Sequence, residues 1–249
     1  MRRLVLACLL AAAPVTAVLA AEAGIPAYVS KAVADPSRPA DQTAVDAGRK
    51  PAETIAFAGV RPGMAVGEFY PGGGYFTRML SDVVGPSGHI YGMENDRWKG
   101  AVKANAELVA TAKLTNVSMD SGPFGTVRFP KPLDVAWVTQ NYHDLKIAEY
   151  GVVDTAAFNR AVFKALKPGG TYFILDHEAL PGTTTADIVK VHRIEKAQVI
   201  REVTAAGFKL AGEGSFLRRP GDDHKLSIFD KAIQGKTDQY ALKFVKPKT

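Results

Sequence analysis

Glycines cluster in this sequence at a point where a ligand could lie against the main chain. An apolar run within residues 66–77 reaches Glu68, and Gly72 and Gly74 then separate it from a run with helical spacing. Because glycine lacks a Cβ atom, such a turn can be tight and can bring the backbone close to a ligand. The carboxylate of Glu68 could accept a hydrogen bond from a ligand ammonium group. The same glycines would also suit an ordinary turn between a strand and a helix.

The spacing within this loop argues against one common class of ligand. A dinucleotide-binding loop of the form G-x-G-x-x-G has glycine at its last position, where this sequence has Thr77. Binding of a nicotinamide dinucleotide is therefore disfavoured.

A second carboxylate follows the next apolar stretch. Glu94 comes directly after residues 89–93, and a carboxylate can accept hydrogen bonds from two neighbouring hydroxyl groups at once. A solvated carboxylate after a strand is the plainer interpretation of the same residue.

Polar side chains also gather after two later apolar stretches. Asn141 and His143 follow residues 133–139, and Asp176 and His177 follow residues 171–175. Because ligand sites of open α/β sheets lie at the carboxyl ends of strands, we expect these side chains to face a substrate. A histidine with a pKa near neutrality can accept a proton from an oxygen or nitrogen nucleophile. The alternative for each histidine is that it only satisfies buried backbone groups.

Three more polar residues, His192, Arg193 and Glu195, lie in a later helical stretch and are expected on the same side. Possible metal ligands are present among His143, Asp144, Asp176 and His177, but they form no spaced metal-binding motif. No metal site is therefore predicted.

Alternating strands and helices must position these residues. The predicted strands cover residues 65–70, 88–93, 117–119, 133–139, 171–175, 208–217 and 240–245, and the predicted helices cover 52–60, 75–84, 98–112, 155–166 and, with possible interruptions, 188–206. Repeated strand–helix units imply a mostly parallel sheet with helices on both faces. The last two strands have no helix between them, which predicts an antiparallel pair.

In their order, these motifs resemble those of the class I S-adenosylmethionine-dependent methyltransferases. The resemblance covers about residues 55–245 and includes the acidic residue and glycine loop of Glu68–Gly74, with Tyr70 where the family's first glycine is usual. Residues 163–170 resemble the helix and Pro-Gly-Gly turn that many small-molecule methyltransferases share. The resemblance implies a doubly wound, mostly parallel, seven-stranded Rossmann-like α/β sheet with an antiparallel last strand.

The same resemblance implies a cofactor, S-adenosylmethionine, and the residues that hold it. The residues implied for the cofactor are Glu68, Tyr70, Gly72, Gly74, Glu94 and Asp120. Among them, Glu94 matches the acidic residue that holds both ribose hydroxyls. Asp120 lies where the family often contacts the adenine amino group, a contact that the backbone of Ser121 and Gly122 could also make. The catalytic or acceptor-facing residues are then Asn141, His143, Asp176 and His177.

The first twenty residues have the pattern of a secretory signal peptide. Arg2 and Arg3 precede an apolar run, and small residues end at Ala20, with a second cleavage position close to Ala23. The expected mature protein is periplasmic or secreted, and a retained membrane anchor is the weaker interpretation. Cys8 would leave with this segment, which excludes disulfides, thiolate catalysis and cysteine-ligated zinc.

The rest of the composition is that of a globular protein with a small-molecule partner. Of 249 residues, 47% are hydrophobic and 22% are charged, and the formal net charge is +6 without a basic block. Nucleic-acid binding is therefore not expected. Residues 21–54, with Pro36, Pro39 and Pro51, are interpreted as an N-terminal arm or lid, and residues 55–249 as the methyltransferase-like domain.

Two functions follow from these observations. The first is an S-adenosylmethionine-dependent methyltransferase with a small-molecule acceptor, similar to predicted exported bacterial methyltransferases. The alternative is an exported, non-catalytic binding protein that uses the fold for a nucleoside-like or small anionic ligand, which Tyr70 in the glycine loop would favour.

Overall fold

A seven-stranded sheet forms the centre of the computed structural model, which describes residues 24–150 and 154–248. The strands are β1 Ala65–Phe69, β2 His89–Glu94, β3 Val117–Ser121, β4 Leu133–Thr139, β5 Leu166–His177, β6 Lys209–Gly214 and β7 Gln239–Val245. They lie in the order β3-β2-β1-β4-β5-β7-β6. Neighbouring strands from β3 to β5 are parallel, whereas β7 is antiparallel to both β5 and β6.

Helices pack on both faces of this sheet. In the described residues they are α1 Ala27–Val33, α2 Ala40–Thr43, α3 Asp46–Arg49, α4 Pro51–Ala58, α5 Tyr75–Val84, α6 Lys99–Thr111, α7 Thr155–Ala165, α8 Thr185–Val191 and α9 Lys196–Ala205. Alternate residues of β4 point to opposite faces: Val135 and Trp137 pack with α4 and α5, whereas Ala136 and Val138 pack with α7 and α9. The predicted doubly wound α/β fold with an antiparallel last strand is confirmed.

The helix predicted over residues 188–206 is in fact two helices. Thr184 and Asp187 form a capping box that starts α8, and His192 ends α8 with a left-handed backbone at φ 54°. The sequence pattern allowed for an interruption but did not locate it, because Ile188, Ile194 and Val199 all pack into the same hydrophobic core. His192, Arg193 and Glu195 therefore lie between two helices and not on one.

Strand β5 is longer than predicted. The Pro168-Gly169-Gly170 turn lies inside β5, where the pairing with β4 shifts register between Leu133 and Val135. At its other end, Asp176 and His177 still pair with β7, opposite Tyr240 and Gln239. Both side chains are therefore held by the sheet itself and not by a loop.

The arm predicted over residues 21–54 forms three short helices against the domain. Val29 and Ala32 of α1 are buried with residues of α5, and the predicted boundary at residue 54 falls inside α4. The predicted signal peptide lies outside the described residues. Within the described residues, none of the helices is both long and apolar enough to cross a membrane.

Candidate functional site

The glycine loop joins the carboxyl end of β1 to α5 and is built around a buried carboxylate. Glu68 is 2% exposed, and its Oε2 accepts a hydrogen bond from Oγ1 of Thr77 at 2.7 Å. Burial, together with the neighbouring Glu94, raises the pKa of Glu68 to about 7. Thr77, whose presence argues against a dinucleotide-binding loop, therefore has a structural role, because its hydroxyl donates a hydrogen bond to the buried carboxylate of Glu68.

The two glycines singled out from the sequence have left-handed backbones, with φ 55° at Gly72 and φ 74° at Gly74. A Cβ atom on Gly74 would lie 2.1 Å from Cδ2 of Leu108 on α6, whereas a Cβ atom on Gly72 would meet only the carbonyl oxygen of Tyr70, at 4.0 Å. Gly74 is therefore required for packing against α6, in addition to any part in ligand approach. The sequence argument had considered the turn and the ligand, but not packing against α6.

Tyr70 is part of the aromatic core beneath the loop. Its backbone is left-handed at φ 54°, and its ring packs against Trp98 and Phe124 at centroid distances of 5.4 and 4.7 Å. The side chain is 5% exposed, and burial raises its pKa. Tyr70 therefore shapes the floor of the loop.

Glu94 lies at the end of β2, beside the glycine loop, and is 1% exposed. Its Oε1 accepts a hydrogen bond from the backbone N of Asn95 at 3.0 Å, and its Oε2 accepts one from Nδ2 of Asn105 at 3.2 Å. Burial raises its pKa to about 7. Oδ1 of Asn105 is buried and accepts no hydrogen bond from the described residues. The carboxylate of Glu94 and the amide oxygen of Asn105 are thus neighbouring hydrogen-bond acceptors, and the amide oxygen has no donor in the described residues.

Asp120 differs from these buried carboxylates. It is exposed near the end of β3, and its Oδ1 accepts a hydrogen bond from the backbone N of Ser121 at 2.8 Å. Its position agrees with the expected contact to an adenine amino group without testing it.

The N-terminal arm crosses the glycine loop. Nε2 of Gln42 donates a hydrogen bond to the carbonyl oxygen of Gly73 at 3.0 Å. Oδ1 of Asp46 accepts one from the hydroxyl of Tyr75 at 2.6 Å, and the guanidinium of Arg49 lies 4.3 Å from the centre of the Tyr75 ring. Arg49 also donates to Oε1 of Gln140, directly after β4. The arm thereby brings a cation to the carboxyl edge of the sheet.

Beside the loop, the ends of β4 and β5 open into a cavity of about 300 Å³. Its lining residues are Arg49, Trp98, Gln140, Asn141, His143, Asp144, Tyr150, His177, His192, Ile228 and Phe229. A larger depression of about 670 Å³ is lined by residues 125–132, which precede β4 in the chain, and by α7. We favour the smaller cavity, because ligand sites of open α/β sheets lie at the carboxyl ends of strands.

His143 lies between two carboxylates at the inner wall of this cavity. Its Nδ1 is 2.7 Å from Oδ1 of Asp176, and its Nε2 is 3.2 Å from Oδ1 of Asp144. Burial alone would lower the pKa of His143, but the two carboxylates raise it to about 10. His143 also lowers the pKa of Asp144, against the effect of burial.

His177 has the opposite electrostatic character. Its Nδ1 lies 2.8 Å from Oγ1 of Thr237, and burial lowers its pKa to about 3. Around neutral pH this imidazole is uncharged, whereas that of His143 is charged. The sequence argument had sought a histidine with a pKa near neutrality, and the pKa values of both residues lie far from it.

The other predicted substrate-facing residues separate into two groups. Asn141 and His192 line the cavity, whereas Asp176 lies behind His143 and also accepts hydrogen bonds from the backbone N of His143 and His177. Asp176 is thus a positioning residue. The side chain of Arg193 forms a buried ion pair with Asp222 at 2.9 Å.

Glu195 is likewise outside the cavity lining, and its Oε2 accepts a hydrogen bond from the backbone N of Gly182 at 3.2 Å. Conversely, sequence reasoning missed Arg49, Trp98, Tyr150 and Phe229 of the lining. The first three lie on segments that precede or connect the strands, and no local periodicity marks them as neighbours of β4 and β5.

No protein-family model matches the sequence, and no curated protein is detectably similar to it. Solved structures do resemble it. A SAM-dependent methyltransferase from Aquifex aeolicus shares 17% identity, with 80% of this chain and 88% of the other covered and a TM-score of 0.57. A proposed sarcosine dimethylglycine methyltransferase from Galdieria sulphuraria shares 16% identity, with 84% and 88% covered and a TM-score of 0.61.

The 4+2 cyclase SpnF is similar to the same degree, at 17% identity, 84% and 83% coverage and a TM-score of 0.57. The chain therefore has the fold of the class I S-adenosylmethionine-dependent methyltransferases, and this fold also carries other chemistry. The choice among activities has to come from the site.

Proposed function

We propose that the protein is an S-adenosylmethionine-dependent methyltransferase that acts on a small-molecule acceptor. The observation that carries the proposal is the pairing of two features at one edge of the sheet. The glycine loop and Glu94 end β1 and β2, and a cavity of about 300 Å³ opens at the neighbouring ends of β4 and β5. One feature suits the cofactor and the other suits the acceptor.

The residues around Glu94 fit the ribose of such a cofactor. A ribose offers two adjacent hydroxyl donors, and the carboxylate of Glu94 keeps lone pairs beyond the two hydrogen bonds it already accepts. The unsatisfied Oδ1 of Asn105 lies on the same side chain that donates to Glu94. A buried acceptor without a donor costs about 1–3 kcal/mol, so a ligand that supplies the donor gains stability.

The work left to the cavity residues is mainly positioning. When bound, the cofactor supplies an electrophilic methyl group, and rate enhancement comes largely from holding the acceptor atom in line with it. The side-chain amides of Gln140 and Asn141 can hydrogen-bond an acceptor, and Arg49 can bind an anionic group on it. The rings of Trp98 and Phe229 can cover its apolar parts.

We further propose that the protein works outside the cytoplasm, which rests on the signal-peptide pattern of residues 1–20. The partner is a small molecule, since the basic residues are dispersed and no basic block suggests a nucleic acid. An exported enzyme would need cofactor delivered to the same compartment.

Titration calorimetry with S-adenosylmethionine tests the proposal. We expect Glu94→Ala to weaken binding by about 1.5–3 kcal/mol, the usual loss for hydrogen bonds to a charged group. Glu107→Ala, which removes an exposed carboxylate from α6, is the matched control and should bind S-adenosylmethionine as the native protein does. If the native protein does not bind S-adenosylmethionine and instead binds nucleosides or small anions, the non-catalytic alternative replaces the proposal.

A further inference from the structure

Three candidate ligand atoms meet at the wall of the cavity. Nε2 of His143, an oxygen of Asp144 and a ring nitrogen of His192 all lie within 4.8 Å of one another. Oδ1 of Asp144 is 3.2 Å from Nε2 of His143 and 3.5 Å from Nδ1 of His192. The carboxylate oxygen is thus shared between two imidazoles that come from different loops.

These separations match the edges of a metal coordination tetrahedron. Zinc binds histidine nitrogen at about 2.0–2.1 Å and carboxylate oxygen at about 2.0–2.2 Å, which places neighbouring ligand atoms about 3.3 Å apart. The two measured edges, 3.2 and 3.5 Å, lie on either side of that value. The third edge, between the two imidazole nitrogens, is at most 4.8 Å, and it is the one that would have to close to about 3.3 Å around an ion.

The shared oxygen has no other partner in the described residues. The side chain of Asp144 is 4% exposed, and its Oδ1 accepts no hydrogen bond from the part of the chain that the structure describes. Oδ2 of the same carboxylate is held by Nδ2 of Asn141 at 2.7 Å, which aims Oδ1 at the imidazoles. A buried carboxylate oxygen needs a compensating positive charge, which is either a protonated imidazole or a metal ion held between the imidazoles.

The His143 side of the cluster has the outer support that metal-bound histidines usually have. Asp176 accepts from Nδ1 of His143, so that Nε2 is the nitrogen that faces Asp144, at 3.2 Å. Binding of a metal ion would displace the proton that Nε2 carries toward Asp144 when no ion is bound. Asp176 also accepts from the backbone N of His143, which fixes the ring before any ion binds.

His192 is held in place at a cost to the backbone. Its φ of 54° is unusual for a residue other than glycine, and such strain is concentrated at functional sites. Its ring packs against Phe229 and Tyr150, with centroid distances of 4.8 and 5.9 Å. The left-handed turn that ends α8 is what directs this ring toward Asp144.

From this geometry we propose that His143, Asp144 and His192 form a binding site for a divalent transition-metal ion, with Zn²⁺ the best match. Two imidazoles and one carboxylate are the ligand set of known catalytic zinc sites, which keep one coordination position for water or substrate. Mg²⁺ and Ca²⁺ are disfavoured because they prefer oxygen ligands. The remaining position faces the cavity that all three ligands line.

This site specifies what the cavity would hold. A ligand with an oxygen or nitrogen lone pair can occupy the remaining position, while Arg49 and the aromatic residues bind the rest of it. Only this statement rests on the proposed function, since metal binding itself requires neither S-adenosylmethionine nor methyl transfer. The pattern escaped the sequence because the adjacent pair His143-Asp144 is far along the chain from His192.

The test is calorimetric titration of the untagged, chelator-treated protein with Zn²⁺. We expect one ion per chain, and His192→Gln should weaken binding by at least about 100-fold, because a direct ligand should matter more than an outer partner, whose loss costs about 10- to 100-fold. Asp176→Asn should fall within that smaller range. His89→Gln, at the start of β2, is the matched control and should bind Zn²⁺ as the native protein does.

A native affinity no tighter than that of His192→Gln would overturn the site and leave a hydrogen-bonded cluster around a protonated histidine. If a variant does not fold, anomalous diffraction from crystals of the native protein grown with Zn²⁺ tests the site instead. An anomalous peak anywhere other than between the three side chains also overturns the proposed metal site. Titration with S-adenosylmethionine is run separately. Zinc binding without cofactor binding would therefore contradict the proposed function and leave the metal site standing.

Discussion

The hydroxyl of Thr77 donates a hydrogen bond to the carboxylate of Glu68 at 2.7 Å, and both side chains are buried. The bond ties the end of β1 to the first turn of α5 across the glycine loop. It also explains why this loop has a threonine where a dinucleotide-binding loop has glycine. Ionisation of Glu68 at this position is nevertheless unfavourable, since its pKa is raised to about 7.

Glu68→Gln should therefore change how stability depends on pH. The carboxyl pKa is about 7 in the folded state against an ordinary 4.5, so the native protein holds the extra proton between these pH values and loses stability as the pH rises through them. The difference between the two pKa values corresponds to a loss of about 3 kcal/mol in the free energy of unfolding. We expect urea unfolding to show Glu68→Gln gaining about that much over the native protein between pH 4.5 and pH 8. Glu107→Gln, on an exposed part of α6, is the control, and a parallel shift there would refute the assignment.

Gly74→Ala should destabilise the protein through packing. The new methyl group would overlap Leu108 and would also sit on a left-handed backbone, at a cost of about 1–3 kcal/mol from overpacking and more from strain. Gly72→Ala has the strain without the overlap and should cost less. Urea unfolding measures both. Adding Leu108→Ala should recover part of the loss at Gly74 but none at Gly72, and equal behaviour of the two glycines would show that packing on α6 is not the reason.

His143→Asn and His177→Asn should each leave S-adenosylmethionine binding largely intact. Both side chains line the cavity at the ends of β4 and β5, whereas Glu94 lies at the end of β2, on the other side of β1. Titration calorimetry measures the affinity, and circular dichroism checks the fold, because His143→Asn breaks a buried pair and can cost about 3–5 kcal/mol of stability. A loss of affinity as large as that of Glu94→Ala would mean that these histidines border the cofactor.

The mature protein should begin at Ala21 or shortly after it. Arg2, Arg3, the apolar run and the small residues before Ala21 together have the pattern of a signal peptide that a signal peptidase would cleave. Intact-mass measurement and N-terminal sequencing of protein from the native cell decide this. An uncleaved chain that starts at Met1 in the cytoplasmic fraction would end the proposal of export.

The sheet was predictable because each strand has its own local signal. Apolar runs such as β1 and β4 are separated by glycine turns and amphipathic helices, and the positions of Glu68 and Glu94 follow from where those runs end. The position of the α8–α9 break was not predictable, since a left-handed turn at His192 leaves the apolar spacing nearly unchanged.

The composition of the cavity was only partly predictable, for a related reason. Arg49 reaches the site through the arm and bonds Gln140, a residue 91 positions away in the chain. Such contacts depend on how separate segments dock, which hydrophobic periodicity does not encode. The electrostatics were hidden for the same reason, because the opposite pKa shifts of His143 and His177 come from partners that only the folded sheet brings near.

The placement of β7 also constrains when the protein can fold. β7 is the final strand to be synthesised, yet it lies between β5 and β6, so β6 has no route into the sheet before residues 239–245 exist. Until then the edge of β5 stays unpaired, and a growing chain exposes it to chaperones or to other chains. Loss of about the last ten residues would remove most of β7, so that β6 would have no strand to pair with and β5 would become an unpaired edge.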